Sequence, residues 1–381
     1  MRDGQAGPGP ISILAPHRAG ATPGSCARAR TLGWVLAGGL VCLLAAGGVA
    51  RAAEASVPRG DAAARLPQGP LAGEFWDVVA RFESGHLLMA TIALTNTGLG
   101  GRTAVAVGQW VEPDGTAHPF SRSERPGGWR LDASGRRLEL GSIVLDQAGS
   151  GRRFSVDKNE LGIELAIAAA GGAPAVRSDP RSLPAGGGTP GCGFDVLEIA
   201  GPATGSFRVE GRGAPMALRG LAAVTHRWMP GLEAECLRRG IELFAMQGGL
   251  GLYLRETESP TGQRRSWLLV QRDGALLGAG PPSESTIAWR PGLPGYSGPA
   301  ELRFSAPGLG GRVHFGETLG TFEPLGRLPA PLRVAMELRT RPRLAWSAPR
   351  FELEIGEASP RAIRGTALAK LAWTNPAAGG K

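Results

Sequence analysis

The sequence predicts an all-β protein made of two antiparallel β-barrels or sandwiches behind an N-terminal signal peptide. Three observations carry this. Short apolar runs recur along the chain, and several alternate with the period of two that half-buried strands require. The 60 glycines and 31 prolines follow no collagen period and fall largely between those runs, as turn residues do. Beyond residue 52 the chain still has 329 residues, more than one core comfortably organises, so two domains are expected.

Taken in order, Met1 to Arg30 carries Arg2, Arg18, Arg28 and Arg30 against the single acid Asp3. An uncharged run from Thr31 to Ala50 follows and closes at Ala50-Arg51-Ala52. A basic flank, an apolar stretch and an A-x-A close make residues 1–52 a signal peptide, with an uncleaved anchor at 31–50, and hence membrane proximity, as the rival. Export places the mature protein in the periplasm or outside the cell. Residues 53–65 read as a tether.

The strands begin with Phe75 to Glu83 and His86 to Thr97, joined at Ser84-Gly85, a two-residue hairpin signal. Thr103 to Glu112 alternates around Trp110 and breaks at Pro113-Asp114-Gly115. Trp129 to Asp132 and Arg137 to Leu145 flank Ala133-Ser134-Gly135; Arg153 to Val156 and Leu161 to Ala170 flank another polar turn. From Gly171 to Gly191 there is almost nothing to bury, which predicts a long loop or linker. Strands resume at Phe194 to Ile199, Ser206 to Glu210 and Ala217 to Trp228. One helix is expected, over Gly231 to Arg239. The remaining strands are Gly240 to Gln247, Leu250 to Glu256, Ser266 to Arg272, Ala275 to Gly278, Ser285 to Arg290, Ala300 to Ser305, Arg312 to Phe315, Leu332 to Arg339, Phe351 to Ile355 and Arg364 to Trp373. The expected domains are 66–230, including loop 171–191, and 231–376, with a boundary inside that loop as the alternative.

Charge narrows the function. The net +9 falls to +5 once residues 1–52 are removed, and the basic residues form no run longer than a pair. Nucleic-acid binding needs them gathered on one face, so it is set aside. Of four cysteines, Cys26 and Cys42 leave with the signal. Cys192 and Cys236 are a disulfide candidate in an oxidising compartment, though spacing leaves their pairing open. No hydrolase, metalloprotease, redox or phosphate-loop motif is present, His86, His118, His226 and His314 are scattered, and no cofactor or metal site is expected.

Two stretches stand out: Gly73-Glu74-Phe75-Trp76-Asp77, and Arg219 to Trp228. His226 and Trp228, two apart, share one face of a strand. If that face lines a cavity, an indole and an imidazole suit an apolar ligand with one polar group. The plainer alternative is packing, with Trp228 in the core and His226 bonded to backbone.

Glu74-Phe75-Trp76 before a hairpin resembles the E-W-W-Y opening of the carotenoid 1,2-hydratase (hydroxyneurosporene synthase) family, whose relatives include AttH-like proteins and fungal cyclases. Gly220 to Trp228 is similar to its G-x-x-x-x-D-H-x-W segment, and Ile241 to Gln247 to its W-D-W-F-x-x-Q strand. The resemblance implies two tandem lipocalin-like β domains with a ligand site in or between them. Here Phe75 replaces a Trp, Asp77 a Tyr and Thr225 the motif acid. Alkene hydration starts with protonation, and Thr225 supplies no proton at neutral pH. The expectation is therefore an exported binding or carrier protein for a hydrophobic small molecule (lipid, isoprenoid or pigment), walled by Trp76, Trp110, His226 and Trp228. One alternative is a hydratase, isomerase or cyclase with His226 as its catalytic candidate. The other is a non-catalytic cell-envelope interaction module with solidly packed barrels.

Overall fold

The computed structural model describes residues 60–375, apart from 97–100, 159, 171–175, 178–191, 212, 328–329, 339 and 357–360. Residues 1–52, expected as a signal peptide, and most of 171–191, expected as a loop, lie outside the described residues.

Twelve strands build the first sheet: β1 (Gly73–Phe82), β2 (Leu87–Asn96), β3 (Arg102–Val111), β4 (Ala117–Glu124), β5 (Trp129–Leu131), β6 (Arg137–Leu140), β7 (Ile143–Asp146), β8 (Gly151–Lys158), β9 (Leu161–Ala168), β10 (Val176–Arg177), β11 (Gly193–Val209) and β12 (Met216–Met229). Their order is β4-β3-β2-β1-β12-β11-β9-β8-β7-β6-β5, with β10 pairing β11 off this path. The sheet curls until β3 and β4 approach β6, giving a nearly closed barrel. Inside it lie Trp76, Val78, Ala80, Phe82, Trp110 and Phe154 among a larger buried cluster.

After α1 (Glu233–Cys236), a further twelve strands follow. They are β13 (Arg239–Gln247), β14 (Leu250–Glu258), β15 (Arg264–Arg272), β16 (Ala275–Gly280), β17 (Glu284–Pro291), β18 (Ser297–Ala306), β19 (Leu309–His314), β20 (Thr318–Phe322), β21 (Arg343–Ser347), β22 (Arg350–Ile355), β23 (Arg361–Thr366) and β24 (Leu368–Trp373). A seven-stranded sheet, β16-β15-β14-β13-β24-β21-β20, faces a five-stranded one, β17-β18-β19-β22-β23, across a second apolar core that includes Leu243, Leu252, Leu302 and Phe351. A third apolar layer joins outward side chains of the first barrel, such as Val79, Met89 and Phe194, to Phe244, Tyr253, Trp267 and Trp346 of the second. This layer explains why β1 and β2 are buried along both faces. One face fills the barrel and the other meets the second half.

The structure departs from the sequence expectations at several places, each with a physical reason. Residues 60–65, expected as a tether, are packed: Ala62 joins the barrel core and the Ala64 N–H donates to the Gly135 carbonyl. Strand β4 escapes an apolar search because it is mostly polar and holds Pro119, which an edge strand tolerates. Phe194 to Ile199 and Ser206 to Glu210 are largely one bent strand, β11, whose two register shifts near Glu198 and Gly201 absorb the Gly201-Pro202 break. Where Leu332 to Arg339 reads as a strand, the chain forms α2 (Ala330–Glu337). Pro331 sits in its first turn, where a missing N–H costs no helix bond, and Arg333 pairs with Glu337 one turn on at 3.9 Å. The helix expected over Gly231 to Arg239 is one turn only, since Leu237 is already extended and the Arg238 N–H donates to the Glu258 carbonyl.

Candidate functional site

The two stretches singled out in the sequence lie side by side. Strands β1 and β12 pair antiparallel with Glu74 opposite Trp228 and Trp76 opposite His226, which puts these four side chains on the inward face of the first barrel. The His226 ring stacks on Trp76 at 4.9 Å and 6° and lies 5.4 Å from Trp228. Both its nitrogens face acceptors, Glu74 Oε1 at 2.6 Å and the Asp61 carbonyl at 3.1 Å. The Glu74 carboxylate also accepts the N–H groups of Arg65 (2.6 Å) and Leu66 (2.8 Å). Arg65 spreads over the Trp228 ring at 3.7 Å and reaches Asp195 at 3.1 Å. Glu74 and His226 thus clasp the segment Asp61 to Leu66 across the end of the barrel. Both are buried, and neither lines a described cavity.

Trp110 lies elsewhere in the same interior, stacked on Phe207 at 4.1 Å and beside Phe82 and His86. The hollow expected inside the first barrel is therefore filled where Trp76, Trp110 and His226 sit. Trp228, half-buried, borders only a small gap near Cys192 and Cys236. Those two cysteines are joined by a disulfide.

The open space is on the other face of the same strands. A cleft of about 210 Å³ runs between the first barrel and the second half, walled by Phe75, Ala93 and Val105 on one side and Leu325, Met336 and Leu344 on the other. A more polar space of about 440 Å³ adjoins it through Val105, Ser123 and Phe322 and adds Arg122, Glu124 and Lys158. Thr91, Arg227 and Glu233 are among the polar residues that line the apolar cleft, together with Asn96, Ser123 and Thr340.

Arg227 also belongs to a buried ionic network. Asp77 Oδ1 accepts from Lys370 Nζ and Thr91 Oγ1, each at 2.5 Å. Arg227 Nε stands 3.4 Å from Asp77 and 3.5 Å from Glu242, and Arg227 Nη1 is 3.7 Å from Glu233. Glu242 Oε1 accepts from Arg255 at 2.9 Å and from the Tyr253 hydroxyl at 3.2 Å. Burial works to raise Asp77, but the Lys370 and Arg227 cations and two hydrogen bonds outweigh it and hold the carboxyl at about 2. Burial, aided by Arg227, pushes Lys370 below its ordinary value against the pull of Asp77 and Glu242. Burial and the Glu242 charge keep Tyr253 neutral. Among the described residues, no three His, Cys, Asp or Glu side chains are grouped to hold a metal.

The sequence reading missed Phe75, Arg227 and Glu233 as wall residues. One signal was available: if His226 and Trp228 point inward, Arg227 between them points outward, toward the second half.

No protein-family model and no curated protein sequence matches the chain. Solved structures do. An AttH-type protein from Nitrosomonas europaea matches with a TM-score of 0.60 at 12% identity, covering 83% of this chain and 98% of that one. CghA with Sch210972 matches at TM-score 0.56 and 13% identity, covering 84% and 98%. Kievitone hydratase from Nectria haematococca matches at 0.55 and 9%, covering 84% and 94%. At these identities the likeness establishes the fold: the chain has the lipocalin-like, barrel-based architecture of the AttH and hydratase proteins.

Proposed function

We propose that this is an exported protein that holds an apolar small molecule in the cleft between its two β halves. The observation that carries the reading is the cleft itself, a largely apolar space of about 210 Å³ with polar side chains such as Arg227 and Glu233 in its wall. The crystallised pairing of a fold neighbour, CghA, with the small molecule Sch210972 supports it. Export is supported by the basic, apolar and A-x-A pattern of residues 1–52 and by the Cys192–Cys236 disulfide, a bond that persists in oxidising compartments.

Native mass spectrometry of protein purified from its own host, with and without organic extraction, tests the reading. A co-purifying apolar compound is expected in the wild type and is expected to be lost in Val105→Trp, which fills the junction of the two spaces. Empty wild-type protein, or equal occupancy in the plugged variant, overturns it.

A second reading makes the cleft catalytic, for hydration, isomerisation or cyclisation of the bound molecule. It is favoured by a carboxylate and a guanidinium, Glu233 and Arg227, both lining the apolar space, and by a fold neighbour that is a hydratase. Glu233→Gln that abolishes turnover while retaining ligand affinity supports this reading; equal loss of both counts against it.

A further inference from the structure

We infer that the cleft selects uncharged ligands whose polar group is a carbonyl or hydroxyl oxygen, received by Arg227, over ligands that carry a carboxylate. The inference rests on the cleft reading above and deepens it.

Arg227 is 3% exposed, yet its Nε makes no hydrogen bond among the described residues. The carboxylate oxygens around it stand at 3.4, 3.5 and 3.7 Å, near enough to balance its charge but too far for good hydrogen bonds. The guanidinium is thus held loosely on its network side, and where Arg227 lines the cleft a ligand oxygen can accept from it. Its guanidinium lies 5.0 Å from the centre of the Phe75 ring, and both residues line the cleft. An oxygen arriving beside Arg227 in the cleft therefore meets a cation braced on an aromatic face.

Charge decides what kind of oxygen it is. Asp77, Glu233 and Glu242 are matched within the network by Arg227, Arg255 and Lys370, so the ionised set is neutral as it stands. Tyr253, a further titratable neighbour, stays uncharged. A ligand carboxylate would be a fourth anion with no unpaired cation left in the network to balance it, and burying an unbalanced charge is costly. A carbonyl or hydroxyl oxygen offers Arg227 an acceptor and adds no charge.

Four farnesyl-chain probes separate the possibilities: farnesol, farnesal, farnesoic acid and methyl farnesoate, each titrated calorimetrically into the mature protein at neutral pH. The alcohol, the aldehyde and the methyl ester are expected to bind at least about tenfold tighter than the acid. Arg227→Met, checked for its fold by circular dichroism, is expected to compress that difference to within about twofold. If the acid binds as tightly as its ester, the inference is overturned while the cleft reading stands. If none of the four binds, the cleft reading falls and takes the inference with it. The wild-type comparison decides the matter even where the variant does not fold.

Discussion

Lys370 and Asp77, 293 residues apart in the chain, meet at a 2.5 Å hydrogen bond that ties the second half to the outward face of β1. Both side chains are almost wholly buried. Removing one partner leaves the other's charge only partly balanced, Asp77 by Arg227 or Lys370 by Glu242, a change that costs up to about 3–5 kcal/mol. Asp77→Asn and Lys370→Met are each expected to lose up to that much in chemical denaturation. The double variant is expected to lose clearly less than the sum, because neither charge is then stranded. Additive losses would show that the pair is not a working unit.

The same carboxyl gives an acid limb to stability. Its pKa drops from 3.8 to about 2 on folding, so its contribution is complete above about pH 4 and disappears as pH falls through 2. The size is about 2 kcal/mol. Wild-type stability is expected to fall more steeply than that of Asp77→Asn between pH 4 and 2. Parallel curves would contradict the assignment.

The clasp at the barrel end predicts a local effect. Glu74 accepts from two backbone N–H groups of the packed segment, and Leu66, one of the donors, has a left-handed backbone at φ 46°. A non-glycine residue in that region persists only when its surroundings hold it. Glu74→Ala is expected to raise hydrogen exchange across residues 61–66 by at least tenfold with little change in the second half. Farnesol affinity is expected to stay within about threefold, because Glu74 and the cleft lie on opposite faces of β1. Unchanged exchange over 61–66 would remove the clasp.

The disulfide from Cys192 to Cys236 closes a separation of 44 residues, which includes β11 and β12. On chain-entropy grounds such a loop contributes about 4 kcal/mol. The paired Cys→Ala variant is expected to lower the unfolding midpoint by several degrees relative to the oxidised protein, with reductant lowering the wild type and leaving the variant unmoved. A reductant-insensitive wild type would argue against the bond. Cys236 ends the turn that carries Glu233, so ligand release is expected to quicken as well.

Much of the fold could be read from residue order because strand hairpins are local events. The hairpin expected at Ser84-Gly85 is there, but its loop has three residues, Glu83 to Gly85, rather than two: the Phe82 N–H donates to the His86 carbonyl, and Gly85 takes a positive φ of 83°. The nearness of Trp76 to His226 depends on the pairing of β1 with β12, which has no local signal in the sequence. What stayed hidden was which face of those strands meets space. Alternation divides β1 into Trp76 and Val78 against Phe75 and Asp77, but both sets are largely buried and both look like core. The answer depends on residues such as Leu325, Met336 and Leu344, more than two hundred residues on, which make Phe75 part of a cleft wall. Asp77 likewise reads as an odd substitution until Lys370 is beside it.

Trp110 turns that difference between faces into a measurement. Its side chain is fully buried, pressed between Phe207 and Phe82 inside the first barrel, and its indole N–H finds no acceptor among the described residues. Trp110→Ala removes a large packed volume and is expected to destabilise by about 3–5 kcal/mol, offset slightly by loss of the unpaired donor. Were Trp110 a ligand wall, as alternation alone allows, the same variant would instead weaken farnesol binding far more than folding. Calorimetric affinity measured beside denaturant unfolding on the one variant separates the two. Because the filled interior and the cleft occupy opposite faces of one sheet, stability is expected to fall while affinity, measured where the variant remains folded, holds within about threefold.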